Sequence, residues 1–192
     1  MAVPVWVCLL RAVNLGKQRK LPMATSRTAL TNAAMTNVRT YLQSGNIVAQ
    51  SPLRSPGRVS HLVRTVIGSE FALDVPVITR RPVEIDDVIA SNPFSAEADQ
   101  RAHLVRVIFL AEIPSADRVS QMEAHSELRQ TCRVVGGHVY VDYVRGYHGT
   151  GRTATYHGRP WRRWHGTELA HCACTLGPVR EGAGHPTLRG TM

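Results

Sequence analysis

Lysine is nearly missing from this 192-residue chain, which has two Lys against 21 Arg. A skew of that size follows more readily from a G+C-rich coding sequence than from selection for guanidinium chemistry, so on its own it identifies no partner. Long apolar runs are missing as well. The longest, Val3 to Leu10, is interrupted by Pro4 and has no charged flank before it. It is too short to span a bilayer and lacks a signal-peptide layout. We read it as a buried strand and expect a cytoplasmic protein with no membrane partner. Cysteine is sparse and scattered at Cys8, Cys132, Cys172 and Cys174, which excludes a disulfide framework and leaves reduced thiols as the default. Aromatic residues make up only 6% of the chain, and no run of aromatic and basic residues suggests an RNA-recognition motif. Walker loops and dinucleotide fingerprints are absent too, so no cofactor is expected.

What is present suits one domain or two small subdomains sharing a core, with 43% of residues hydrophobic. The formal net charge is +9. Residues 1–144 hold 16 basic against 12 acidic residues, and residues 145–192 hold 7 against 2. More than half of the excess therefore sits in the last quarter. A solvated basic surface explains it without an anionic partner.

Val3 to Leu10 is β-branched and apolar, as a central strand is. A basic loop follows, then Pro22 opens a helix from Met23 to Met35 with Met23, Leu30 and Ala34 near one face. Val38 to Leu42 and Asn46 to Gln50 are short strands joined at Ser44-Gly45, a hairpin signal. Pro52 and Pro56 end that unit. Val59, Leu62, Val63, Val66 and Ile67 then recur at helical spacing up to Gly68, and Val75 to Thr79 reads as a strand. The order is β-α-β-β-α-β, the ferredoxin-like arrangement. A short helix from Pro82 to Ala90 and a turn at Asn92-Pro93-Phe94 lead to a strand from His103 to Leu110. Pro114 opens another helix, and a hairpin turns at Gly136-Gly137 between Cys132 to Val135 and His138 to Tyr143. This second unit reads β-α-β-β, and its closing helix and strand are owed by residues after 150. The expected fold is α+β, with tandem ferredoxin-like subdomains, the second incomplete at its C-terminal end. The boundaries are 1–100 for the first with its connecting helix, 101–152 for the partial second, and 153–192 for a poorly ordered tail.

Three segments carry a resemblance: Leu9-Leu10-Arg11-Ala12-Val13-Asn14-Leu15-Gly16, then Val38 to Val48 with Gln43-Ser44-Gly45-Asn46 at its centre, then Asn92-Pro93-Phe94. Together they closely resemble the bacterial domain-of-unknown-function family 1697, whose members read LLRGINVGG, TYIQSGNVVF and NPF in this order. The match runs from residue 3 to about 152. It implies tandem ferredoxin-like subdomains and a function that is undefined. Ala12 replaces the usual Gly, and Lys17 follows a single Gly where two are common.

Among residues that could carry chemistry, the loop from Arg11 to Lys20 gathers Arg11, Lys17, Arg19 and Lys20 around Asn14 and Gly16. Backbone amides near a glycine, with several cations, can hold a phosphate or carboxylate. A solvated basic loop is the bland alternative. At the hairpin tip, Gln43, Ser44 and Asn46 offer two amides and a hydroxyl. Turn chemistry alone accounts for Ser, Gly and Asn but does not require Gln43. Ser44 as a nucleophile needs a base within reach, and no His is near it in sequence. The candidate ligand-binding set is therefore Arg11, Asn14, Gly16, Lys17, Lys20, Gln43, Ser44 and Asn46, with no catalytic residue assigned. His61, His103, His125 and His138 stand apart from one another. His165, His171, Cys172 and Cys174 have the wrong spacing for a zinc knuckle, so no metal is expected. Glu84, Asp86 and Asp87 sit where a helix start favours carboxylates structurally.

The leading reading is a module that binds an anionic small molecule through these two loops. A second is single-stranded nucleic-acid binding through the sheet, where Trp6, Tyr41, Tyr140 and Tyr143 are the available aromatics. An enzyme using Ser44 or Arg11 is third. The tail has its own explanation. Residues 146–192 hold only four Leu, Ile or Val residues, but five of the nine His, two of the three Trp and two of the four Cys. Such a stretch buries too little to close a sheet. It is expected to be a shifted-frame translation of the family's ending. With permissive codons, Arg159 to Trp164 and His165 to His171 read in the plus-one frame as ALGDGG and TVRNWRT, and the latter is close to the family's TTRNWNT-like segment.

Overall fold

A computed structural model of the chain describes residues 2–11, 13–14, 20–41, 45–101, 104–124, 131–143 and 171–175. A continuous apolar run makes β1 (Val5–Leu10) a strand buried on both faces. On one face, Trp6, Cys8 and Leu10 meet the helices; on the other, Val7 and Leu9 enter a second core. The helix α1 (Met23–Asn32) starts directly after Pro22 and buries Ser26 and Leu30. It ends before Ala34, whose φ of 64° is incompatible with a right-handed helix, so the expected extension to Met35 stops short. The strands β2 (Thr36–Tyr41) and β3 (Asn46–Gln50) follow. Next comes α2 (Pro56–Phe71), with Pro56 at its first turn and Val59, Val63 and Ile67 buried at four-residue spacing. Its end is set by Ala72 in the left-handed region, whose N–H reaches Gly68 O at 3.0 Å.

The strand β4 (Val77–Arg80) completes a four-stranded antiparallel sheet in the order β2-β3-β1-β4. The helix α3 (Pro82–Ala90) is capped by Glu84, whose carboxylate accepts the Arg81 N–H at 2.6 Å. After Asn92 a further helix, α4 (Ser95–Arg101), was not anticipated from the sequence. Its seven residues are too polar and too few for a periodic signal. The strand β5 (Val105–Leu110), helix α5 (Ala116–Ala124) and hairpin β6 (Thr131–Val135) and β7 (His138–Asp142) then build a second antiparallel sheet.

A last strand, β8 (His171–Thr175), pairs antiparallel with β5 from Arg106 opposite Thr175 to Leu110 opposite His171. The second sheet therefore has the order β6-β7-β5-β8, position for position that of the first. A closing strand was owed here, and the chain supplies it from the segment expected to be poorly ordered. Backbone pairing does not need the aliphatic residues that the sequence pattern looked for. The helix owed before it, and the rest of 153–192, lie outside the described residues.

The fold is mixed α+β with two antiparallel sheets. The sheets face each other across one apolar layer, in which Val7, Leu9 and Ile78 meet Val105, Val107, Phe109 and Tyr140, with Val88 and Phe94 at its margin. The outer face of the first sheet packs on α1 and α2. On the second, Ile108, Leu110, Cys132, Val139 and Val141 pack with Met122 of α5. Among the described residues, no helix is long and apolar enough to cross a membrane.

Candidate functional site

The described ends of the two candidate segments lie together at the end of the first sheet where β1 runs out. Leu10 is paired with Val77, and Arg11 extends that ladder with its N–H on Pro76 O at 3.0 Å. Val13 then tucks inward, 3% exposed. Asn14 reverses the chain with φ at 55°, a region Asn tolerates better than most residues. Its side chain closes the loop like a short strand: Oδ1 accepts the Leu21 N–H at 2.7 Å and Nδ2 donates to Leu21 O at 3.1 Å. Leu21 is itself fully buried, so this pair of hydrogen bonds fixes Asn14 to the core. The Asn14 amide is thus committed to the Leu21 backbone.

From the other side comes the β2–β3 hairpin, which ends on Gly45 at φ 84°. A Cβ built there would overlap Val13 Cγ2 and lie 3.3 Å from Leu10 Cβ. Only glycine lets the hairpin tip sit this close to the root of the basic loop. Asn46 then pairs with Tyr41 across the hairpin.

Of the eight candidates, Arg11, Asn14, Lys20 and Asn46 are therefore placed, with Arg11, Asn14 and Asn46 part-buried and Lys20 exposed. The contact of Gly45 with Val13 and Leu10 brings their two segments to one end of one sheet. Gly16, Lys17, Gln43 and Ser44 lie outside the described residues. So do His103, His125 and His165, and the side chains of His171, Cys172 and Cys174. Among the described residues, no group of three His, Cys, Asp or Glu side chains could hold a metal ion. Open concavities of about 390 and 470 Å³ lie instead along α2, lined in part by Arg58, His61, Thr65 and Arg64. Neither includes a candidate residue.

Sheet-mediated nucleic-acid binding loses the surface it needs. Stacking of successive bases takes several exposed rings on an open sheet face. Here the two sheets cover each other, and Trp6, Tyr140 and Tyr143 are at most 6% exposed. Only Tyr41 of the four strand aromatics is open, at 53%.

The sequence reading missed a second grouping, at the other end of the sheet interface. Arg80 donates from Nη2 to Leu110 O at 3.3 Å, joining the two sheets, and its Nε lies 3.9 Å from the Glu84 carboxylate. His138 lies edge-on to Phe109, with 4.9 Å between ring centroids. Its Nδ1 is buried with no hydrogen-bond partner among the described residues. Burial first, and then the Arg80 charge, hold its pKa below the ordinary histidine value, with Glu84 acting in the opposite sense. No local motif signals this, because residues 80 and 138 meet only through sheet packing.

A family described as "Protein of unknown function (DUF1697)" matches residues 3–140. Comparison with curated proteins found no match. Among solved structures, the conserved bacterial protein SP0830 from Streptococcus pneumoniae is similar at a TM-score of 0.65 and 19% identity. The similarity covers 91% of this chain and 93% of that one. At that identity the likeness concerns the fold alone.

Proposed function

The chain belongs to the DUF1697 family of proteins of unknown function, and from that premise we propose that it is a binding module for an anionic small molecule. We place the site where the Arg11 to Lys20 loop meets the Gln43 to Asn46 tip. The observation that carries this is the close approach of Gly45 to Val13 and Leu10. It brings Gly45, from the polar Gln43 to Asn46 segment, to the root of a segment whose sequence carries three further cations, Lys17, Arg19 and Lys20. In this reading Asn14 shapes the loop, Arg11 and Lys17 supply charge, and Gln43, Ser44 and Asn46 orient the ligand. We read the two sheets as tandem ferredoxin-like units of a cytoplasmic bacterial protein. Their identical strand orders support that, with a division near residue 100. The segment after Arg152 is read as shifted-frame sequence. An RNW-like segment in the plus-one frame across the codons for residues 159 to 171 is the expected finding, and its absence ends that reading.

The binding reading is tested by thermal unfolding of the full chain with inorganic phosphate, sugar phosphates and carboxylic acids. A ligand at a hundred times its Kd stabilises by about 2.7 kcal/mol. Arg11→Ala combined with Lys17→Ala should remove the shift. Absence of any shift with every anion would sink the proposal. Steeply salt-dependent binding of mixed single-stranded RNA would instead favour a nucleic-acid partner.

A further inference from the structure

An unpaired sheet edge invites another strand unless the protein blunts it. Alternate residues of an antiparallel strand turn their backbone groups to opposite neighbours, so one hydrogen bond fixes the phase of a whole strand. Leu110 N–H on Gly137 O turns His138, Tyr140 and Asp142 toward β6, which leaves Cys132 and Val134 facing outward from it. Each is engaged: the Glu123 carboxylate accepts the Val134 N–H at 2.9 Å, and Arg133 Nη1 donates to Cys132 O at 2.9 Å. On β4, Arg11 N–H on Pro76 O leaves Thr79 facing outward by the same count. Its carbonyl accepts Arg80 Nη1 at 3.0 Å, and the residue is 3% exposed. The β2 edge has no such cover among the described residues. Ser51 N–H on Pro4 O turns Asn46 and Val48 toward β2, where Tyr41 and Arg39 answer them, and Thr40 faces out. Arg27, on the helix side, takes only the Thr40 hydroxyl at 2.8 Å, and no described side chain reaches the Thr40 backbone.

We propose that β2 is the seam of a homodimer, in which it pairs antiparallel with β2 of a second copy about a two-fold axis at Thr40. The two Thr40 residues then exchange both backbone hydrogen bonds. Arg39 of each copy stands opposite Tyr41 of the other in the closer, non-hydrogen-bonded pairing, about 4.5 Å apart at Cα. All four side chains lie on the face that carries Val48 and Asn46. Arg39 and Tyr41 are exposed, Tyr41 at 53%, and neither has a hydrogen-bond or ion-pair partner among the described residues. A guanidinium over a phenol ring is attractive, so the edge is complementary to itself, and two-fold symmetry makes the contact twice. A second copy therefore fits this edge better than an unrelated strand, because the edge carries both halves of the contact. Sliding the strands by two residues sets Arg39 against Arg39 or Tyr41 against Tyr41 and loses both contacts. The register shift between Thr36 and Arg39 confines pairing to the end of β2. The seam is short, so dimerisation depends on concentration.

The test is sedimentation equilibrium of the full chain over a roughly hundredfold range of concentration, which should show monomer passing into dimer. Thr40→Pro removes the outward N–H at an edge position that tolerates proline, and should abolish the dimer while leaving the far-ultraviolet circular dichroism unchanged. Arg39→Ala is a substitution at an exposed position that folds regardless. It removes two guanidinium–ring contacts per dimer and should raise the dimer dissociation constant about tenfold. Tyr41→Phe keeps the ring and should leave that constant unchanged. Tyr41→Val should weaken the dimer, and Arg39→Ala combined with it should lose less than the product of the two single losses. A chain that stays monomeric throughout overturns the proposal, as does association that continues past two copies. A dimer that survives Thr40→Pro or is unmoved by Arg39→Ala also overturns it, because the seam then lies elsewhere.

Discussion

Tyr140 of the second sheet donates its phenol hydrogen to the carbonyl of Val88 in α3 at 2.8 Å, across 52 positions of sequence. The donor side chain is fully buried in the layer between the sheets. Burial pushes the phenol pKa up, so it stays protonated and remains a donor throughout the physiological range.

Tyr140→Phe keeps the ring but strands the Val88 carbonyl away from water. An unsatisfied buried acceptor costs about 1–3 kcal/mol. Urea unfolding should show a loss in that range with an unchanged slope, and a loss below about 0.5 kcal/mol would mean that water reaches the carbonyl.

Gly45→Ala adds a methyl group that overlaps Val13 Cγ2 and forces a side chain into a positive-φ position. The backbone strain alone is worth about 1–2 kcal/mol, and the overlap adds to it. Shortening the neighbour with Val13→Ala should recover part of the overlap. The double variant should then be more stable than the sum of the single effects predicts, by roughly 1 kcal/mol. Strict additivity would show that the two segments do not touch.

His138 should make stability depend on pH. Its folded pKa lies below the ordinary value near 6.5, so below about pH 6.5 the unfolded chain binds the proton and the folded chain resists it. Stability from this group is complete above that pH and is lost as pH falls toward the folded value. Protonation would also set a second cation beside Arg80, with Glu84 offsetting part of the repulsion. His138→Leu should flatten the profile between pH 7.5 and 5.5 relative to the unsubstituted chain. Parallel profiles would remove His138 as the cause.

Cys8 lies fully buried on the helix-facing side of β1, and burial pushes its thiol up to about pKa 12. Thiolate is the reactive form, so iodoacetamide should leave Cys8 unmodified in the native chain and label it once the chain is unfolded. Cys132, at 1% exposure, should behave alike for want of access. Peptide mapping of the alkylated chain reads both, and native labelling of Cys8 at the unfolded rate contradicts the prediction.

Strong local signals carried most elements. Asn46–Gln50 and Pro82–Ala90 fall where the sequence places them, because a turn glycine and a first-turn proline mark their ends. Elsewhere the boundaries moved by a few residues, as with α1, whose last turn yields to the positive φ of Ala34. Two elements were not legible. The helix α4 is a single polar stretch after Phe94, and β8 holds its place through backbone pairing with β5. Neither needs the hydrophobic periodicity on which sequence reading depends.

By itself the sequence determined the order of the first seven strands and of the helices among them other than α4, the two polar loops, and the glycine at the hairpin tip. Each of these depends on residues close together along the chain. Only the tertiary structure decided that the two sheets bury their inner faces against each other. That packing hides Tyr140, leaves Tyr41 and Arg39 exposed, and sets Arg80 beside His138, while Trp6 and Tyr143 are buried in the cores on the other faces of their sheets. Alternation along a strand says which residues share a face. Which face meets a partner depends on surfaces contributed by residues about a hundred positions away, and no local pattern records that.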